Sequence, residues 1–216
     1  MERYAVFDVD GTILDSMNLW TELDSHYLRS LGVEPPENLS SVLKTMSLKQ
    51  CAEYFLREFR LPYTVPEIME QINRLVEEEY FYNVPLKPGA AEYLDFLSRE
   101  GVRMCIATAS EYAHVEAALK RLQVLRHFEF ILTCTQIGFG KDSPEIFMLA
   151  ARRFGAEPER ITVYEDALHA LKTAKAAGFR TAAVFDEFSK EDWEAAEQIS
   201  DMAIVDYRTA AKEKRQ

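Results

Sequence analysis

Cysteine is scarce in this 216-residue chain: Cys51, Cys105 and Cys134 are the only three, scattered and set in apolar contexts. An odd, dispersed set with no CxxC pair excludes a disulfide framework and a thiolate zinc site, so reduced core thiols are expected. The four histidines, His26, His114, His127 and His169, show no metal-ligand spacing. Surface and helix-face roles are expected for them. Positive charge is outnumbered, with 25 Lys+Arg against 36 Asp+Glu and a formal net charge of −11. Such a chain repels a polyanion, so nucleic acid is not an expected partner. No apolar run approaches the roughly 18–20 residues that span a bilayer. The N-terminus has Arg3 alone ahead of a short apolar run, which does not read as a secretory leader. No membrane association, a cytoplasmic location and a monomer are the expectations. Internal repeats and low-complexity tracts are also missing.

What is present is the composition of a folded globular protein, 48% apolar and 28% charged. Short apolar runs rich in β-branched and aromatic residues recur at Tyr4–Phe7, Val102–Ala107, Phe128–Leu132, Ile161–Tyr164, Thr181–Phe185 and Met202–Val205. They read as buried parallel strands. Amphipathic helical patterns lie between them at Ala90–Glu100, His114–Leu125, Pro144–Phe154, Ala167–Ala177 and Glu191–Ile199. Ser143 is expected to cap the third of these, with Pro144 at its first helical position and Gly155 as its stop. The alternation predicts an α/β fold with a doubly wound parallel sheet.

One stretch breaks the alternation. From Asp15 to Pro85 the patterns are helical: Leu19–Leu31 before Gly32, Ser47–Phe59, and a helix to about Tyr82 opened by the capping box Thr64-Val65-Pro66-Glu67. A helical domain over residues 15–85 is therefore expected as an insertion into a core made of 1–14 and 86–216. The C-terminal AKEKRQ reads as a frayed, charged tail.

Ligands of open α/β sheets bind beyond the carboxyl ends of the strands. Chemistry-bearing residues collect at those ends. The first strand runs into Asp8-Val9-Asp10-Gly11-Thr12, and two carboxylates there need a compensating charge. The second ends at Thr108-Ala109-Ser110, a helix-opening segment follows Gly140-Lys141, and the fourth strand ends at Glu165-Asp166. Taken singly, these could be turns, caps and surface groups. Taken together at one sheet edge, they suit Mg²⁺ and a phosphoryl group. Asp8, Asp166 and Glu165 offer hard oxygen ligands, Lys141 offers a cation, and Thr108 with the Ala109 N–H offers phosphate contacts.

The four motifs, in this order and covering the whole chain, resemble those of the haloacid dehalogenase superfamily, and the helical insertion resembles that family's small cap over a Rossmann-like core. The resemblance implies that Asp8 is a nucleophile forming an aspartyl-phosphate. It implies that Asp10 is general acid and base, with its carbonyl on the metal. Thr108, Ala109 and Ser110 would hold phosphate, Lys141 would neutralise charge, and Glu165 and Asp166 would complete a Mg²⁺ site. The second aspartate, Asp10, sets the chain apart from the metal-free dehalogenases of the superfamily. A phosphatase acting on a small phosphorylated metabolite, a sugar phosphate, is expected.

Within the family the chain looks nearest to the β-phosphoglucomutase and sugar-phosphate phosphatase group, with departures. Trp20 stands where the mutases have His, and Thr45 and Leu48 where their cap loop has Gly and Arg. Losing that arginine favours hydrolysis over mutase chemistry, although Lys44 and Lys49 could replace it. Asp142 follows the motif lysine where Pro is usual and could pair with it, while Ala167 and Ala170 replace Ser and Gly. Asn18, Trp20, Lys44 and Lys49 are the candidates to meet substrate. A phosphomutase and a non-catalytic phosphometabolite-binding protein are the alternatives.

Overall fold

The structure, a computed structural model, describes residues 3–43, 46 and 48–213. The chain runs β1 (Tyr4–Phe7), then helices α1 (Met17–Ser30), α2 (Leu39–Leu43), α3 (Leu48–Phe59) and α4 (Val65–Glu78), then α5 (Ala90–Arg99). After these come β2 (Arg103–Thr108), α6 (Tyr112–Arg121), β3 (Phe128–Thr133), α7 (Cys134–Ile137), α8 (Glu145–Phe154) and β4 (Ile161–Glu165). The chain finishes with α9 (Leu168–Ala176), β5 (Arg180–Val184), α10 (Trp193–Ile199), β6 (Met202–Ile204) and α11 (Tyr207–Glu213). No helix of the described residues is long and apolar enough to cross a membrane.

All six strands form one parallel sheet in the order β3-β2-β1-β4-β5-β6, the doubly wound arrangement that the alternation predicts. β1 is central. Its Phe7 sits in register with Ile106 on one side and Tyr164 on the other, so the residues just past Phe7, Ala107 and Tyr164 share one edge. Both faces of the sheet are covered, which is why the strands read as apolar runs without alternation. On one face Val6, Cys105, Ala107, Leu132 and Val163 pack against Ile146 and Phe147 of α8 and Ala170 and Ala174 of α9. On the other, Phe7 stacks on Tyr164 with ring centroids 4.1 Å apart. Tyr93 of α5 lies edge-on to Tyr164, shares a hydroxyl hydrogen bond with it at 3.1 Å, and meets Tyr207 of α11 at 5.1 Å.

By its contacts the chain divides into two compact units, Met1–Met17 with Val84–Gln216, and Asn18–Asn83. The second unit holds the four helices that follow β1. The capping box that opens α4 is formed: the Thr64 hydroxyl accepts the Glu67 N–H at 3.4 Å and the Glu67 carboxylate accepts the Thr64 N–H at 2.7 Å. Ile68, Ile72 and Val76 of α4 are buried, as are Cys51, Ala52 and Phe55 of α3.

The structure corrects several local expectations. Pro144 is the N-cap of α8 rather than its first residue, which leaves Ser143 one position too early to cap it; the Ser143 hydroxyl donates to the Glu145 carboxylate. The helix expected to reach Leu125 stops at Arg121, since Gln123 adopts a left-handed φ of 61°. The helix expected to start at Glu191 starts at Trp193, after a 3₁₀ turn over Lys190–Asp192. Among the described residues the additional short elements include α2, α7 and α11, a π-helical stretch over Glu79–Asn83 that follows α4, and 3₁₀ turns over Leu125–His127 and Pro158–Arg160. α11 takes in residues 211–213 of the expected frayed tail, and residues 214–216 lie outside the described ones.

Candidate active site

The site grows from the turn after β1. Asp8 continues the strand by one residue, its N–H bonding the Tyr164 carbonyl at 3.0 Å. The chain then coils tightly, with the N–H groups of Thr12, Ile13 and Leu14 all directed at the Val9 carbonyl, at 3.3, 2.9 and 2.8 Å. Gly11 makes this possible twice over. Its φ is +76°, in the region that glycine enters freely, and a Cβ there would lie 2.8 Å from Oδ2 of Asp166. The turn thus brings Asp8 and Thr12 against the end of β4, where the Thr12 hydroxyl approaches Asp166 Oδ1 at 3.4 Å.

Four of the predicted residues converge. The Lys141 ammonium, on the loop before α8, donates to Asp8 Oδ1 and to Glu165 Oε1. Lys141 does not pair with Asp142: both lie in the turn closed by the Ser143 N–H on the Gly140 carbonyl at 3.2 Å, and the Lys141 ammonium is turned inward to Asp8 and Glu165 while Asp142 is exposed. Asp8, Glu165 and Asp166 each offer a carboxylate oxygen, all within 4.8 Å of one another, and all three residues are buried. The second Glu165 oxygen accepts the Ala167 N–H at 3.3 Å.

Asp10 is placed differently. Its two carboxylate oxygens accept hydroxyls, Oδ1 from Ser16 and Oδ2 from Ser110, both at 2.6 Å. Thr108 is buried at the tip of β2, and its hydroxyl accepts the Ser110 N–H at 3.0 Å, which orders the loop that carries Ala109 and Ser110. Ala109 is exposed. Asn18 and Trp20 lie on α1 and are exposed; the Trp20 ring lies edge-on to Tyr80 at 6.4 Å. Lys49, on α3, is exposed and sits 3.9 Å from Glu53. Lys44 lies outside the described residues.

Burial dominates the electrostatics. It raises the Asp8 pKa, helped by the Asp10 charge and opposed by Lys141. Burial pushes Glu165 up to about 8, with Asp8 and Asp166 adding to it and Lys141 opposing. Burial pushes Asp166 up to about 7, with the Asp8 charge adding and the Ser189 hydrogen bond opposing. Burial alone would lower Lys141, but Asp8 and Glu165 outweigh it and hold the ammonium charged above its ordinary value. One cation does not offset three buried carboxylates. The surplus negative charge, carried on hard oxygen donors, is what a small divalent cation such as Mg²⁺ fits.

This has a measurable consequence. A carboxyl whose folded pKa lies above its unfolded value stabilises the fold while protonated, and that contribution is lost as pH rises through the folded value. Without divalent metal, lowering the pH from about 9 to about 6.5 is expected to raise the melting temperature by several degrees, on the order of 1–2 kcal/mol. Added Mg²⁺ should stabilise more at the upper pH than at the lower. Melting curves in chelator check this; a melting temperature that falls as the carboxyls protonate would refute it. His127 works the other way, since burial lowers its pKa, but only below about pH 6.5.

Several residues around the site belong to none of the four motifs. Ser16 closes the turn onto Asp10, and Asp186 and Ser189 follow β5. The rule that located the site, polar groups at strand ends, also applies to the end of β5 and points to Asp186. Ser16 and Ser189 carry no comparable signal in the sequence.

Residues 5–184 match the family model described as haloacid dehalogenase-like hydrolase. The chain belongs to that family, as the motif resemblance implies. The phosphorylated carbohydrates phosphatase of Thermotoga maritima is 25% identical over 186 residues, 80% of each chain. Hexitol phosphatase B of Escherichia coli K12 is 26% identical over 187 residues, covering 83% of this chain and 82% of that one. A Thermotoga maritima crystal structure with a provisional β-phosphoglucomutase name matches with a TM-score of 0.86 at 20% identity, over 99% of this chain and 98% of that one, a likeness of fold.

Proposed function

We propose that this chain, a phosphatase of the haloacid dehalogenase-like family, hydrolyses a small sugar phosphate through a phosphoryl group carried on Asp8. The observation that carries the reading is the pairing of Asp8 with Lys141 inside the Asp8–Glu165–Asp166 cluster, beside a second carboxylate, Asp10, held apart on two hydroxyls. The two named phosphatases among the relatives support the substrate class.

Each residue has a role. Asp8 attacks phosphorus, forming its own O–P bond as the ester P–O bond breaks. Asp10, protonated, gives its proton to the departing sugar oxygen. It then takes a proton from the water that attacks the aspartyl-phosphate, releasing phosphate and restoring Asp8. Its bonds to Ser16 and Ser110 keep it beside Asp8 without sharing the Lys141 charge. Lys141 neutralises Asp8 and the incoming phosphate. Thr108, Ala109 and Ser110 hold the non-reacting phosphate oxygens. Asp8 and Asp166 would hold Mg²⁺, with the Asp10 carbonyl. Glu165, already engaged by Lys141 and the Ala167 N–H, would act beside them. The ion would supply positive charge that screens the nucleophile from the phosphate. The helical domain, residues 15–85 beside a core of 1–14 and 86–216, is assigned the selection of the sugar, with Asn18, Trp20, Lys44 and Lys49 as its candidate residues.

Phosphate release from a panel of phosphorylated metabolites tests the reading. A few sugar phosphates are expected to turn over with Mg²⁺, with activity falling at least about 10³-fold in chelator. Release that is indifferent to chelator, or confined to non-sugar phosphates, would overturn it.

A further inference from the structure

Ser189 touches Asp166 from outside the motifs. Its hydroxyl donates to Asp166 Oδ2 at 2.8 Å, whereas among the described residues the other oxygen has the long approach of Thr12 at 3.4 Å. The terminal torsion of an aspartate is soft, so one good bond decides how its carboxylate is turned. Ala167, next in the chain, has no polar side chain to do this.

Ser189 rides on the loop after β5, and that loop is built on a buried ion pair. Asp186 is 6% exposed, and its Oδ2 lies 2.8 Å from the Lys87 ammonium. Asp186 Oδ1 accepts the Phe188 N–H at 2.8 Å, and its carbonyl accepts the Ser189 N–H at 3.1 Å. The Lys87 ammonium also donates to the Phe185 carbonyl at 2.6 Å, and the Lys87 N–H bonds the Ile13 carbonyl at 2.8 Å. The contacts therefore close a ring: the turn at Thr12-Ile13, then Lys87, Asp186, Ser189, Asp166 and back to Thr12. A buried ion pair is a poor source of net stability, because desolvation cancels much of the attraction. What this one does is fix the loop that carries Ser189.

We propose that Ser189, seated by the Lys87–Asp186 pair, is a positioning residue for Asp166, turning its carboxylate for a divalent cation. This rests on the reading of Asp166 as a metal ligand. Hydrogen-bonded partners of metal-binding carboxylates orient them and strengthen binding.

The test measures Mn²⁺ binding by electron paramagnetic resonance, without substrate, beside melting curves. Ser189→Ala is expected to weaken Mn²⁺ binding by roughly tenfold or more with little change in melting temperature. Ser189→Thr, which keeps the hydroxyl, should restore it. The double variant Lys87→Met/Asp186→Asn, which leaves no lone buried charge, should weaken binding as Ser189→Ala does. Asp166→Asn is the control and should lose binding. Loss in Asp166→Asn with unaltered affinity in Ser189→Ala overturns the proposal and leaves the metal site standing. Unaltered affinity in the double variant overturns the role given to the ion pair. Unaltered affinity in Asp166→Asn overturns the metal reading itself, and this proposal with it.

Discussion

Asp8→Asn is expected to lower phosphate release by at least about 10⁴-fold, the scale on which loss of a covalent nucleophile acts. The substitution is nearly isosteric. It removes the attacking oxygen's charge but keeps a side chain of the same shape at the end of β1, where Asp8 is already held by its N–H bond to the Tyr164 carbonyl. Lys141 keeps its bond to Glu165, so no buried charge is stranded. Burial already works against the Asp8 charge, so the variant should melt within a few degrees of the unaltered protein. Activity and stability therefore separate: a large kinetic loss on an intact fold. Steady-state release beside a melting curve checks both, and a variant that retained a tenth of the activity would remove Asp8 from the chemistry.

Lys141→Met should do the opposite to stability. Without the ammonium, the carboxylates of Asp8, Glu165 and Asp166 are left within 4.8 Å of one another in a buried site. Removing one partner of a buried ion pair costs about 3–5 kcal/mol, or roughly 10 °C in a chain of this size. Lowering the pH should recover much of it, because protonating the carboxyls removes the repulsion; Glu165 and Asp166 are already pushed up to about 8 and about 7 with the lysine in place. Mg²⁺ should recover part of it at high pH. Turnover should still fall at least about 10²-fold, since the charge facing the phosphate is gone. Melting at pH 8.5 or so with and without Mg²⁺ checks the claim, and a variant as stable as the parent in chelator would contradict it.

Much of this is legible in the sequence. β1 was readable as Tyr4–Phe7 because both its faces are buried and the run is unbroken. The convergence of Asp8, Lys141, Glu165 and Asp166 followed from one topological rule applied to strand ends. The Thr64 box was readable because its hydrogen bonds are local, spanning three residues. What escaped was non-local or contextual. The Ser189–Asp166 bond joins residues 23 apart, and the Lys87–Asp186 pair joins the segment before α5 to the loop after β5. Neither leaves a periodicity. The end of the helix after Ser110 escaped because Gln123, not glycine, takes the left-handed conformation there. Pro144 and Ser143 have the right composition for a helix start, but the helix begins one residue later, with Pro144 itself at the N-cap.

The most direct measurement is to look for phosphate on Asp8 itself. The protein would be mixed with Mg²⁺ and its best substrate, quenched in acid within the first turnover, and digested for peptide mass spectrometry. A phosphoryl group on the peptide that contains Asp8, formed and lost at rates compatible with turnover and absent from Asp8→Asn, is the expected result. Turnover with no protein-bound phosphoryl, or with one on another residue, would contradict the assignment of Asp8 as the nucleophile.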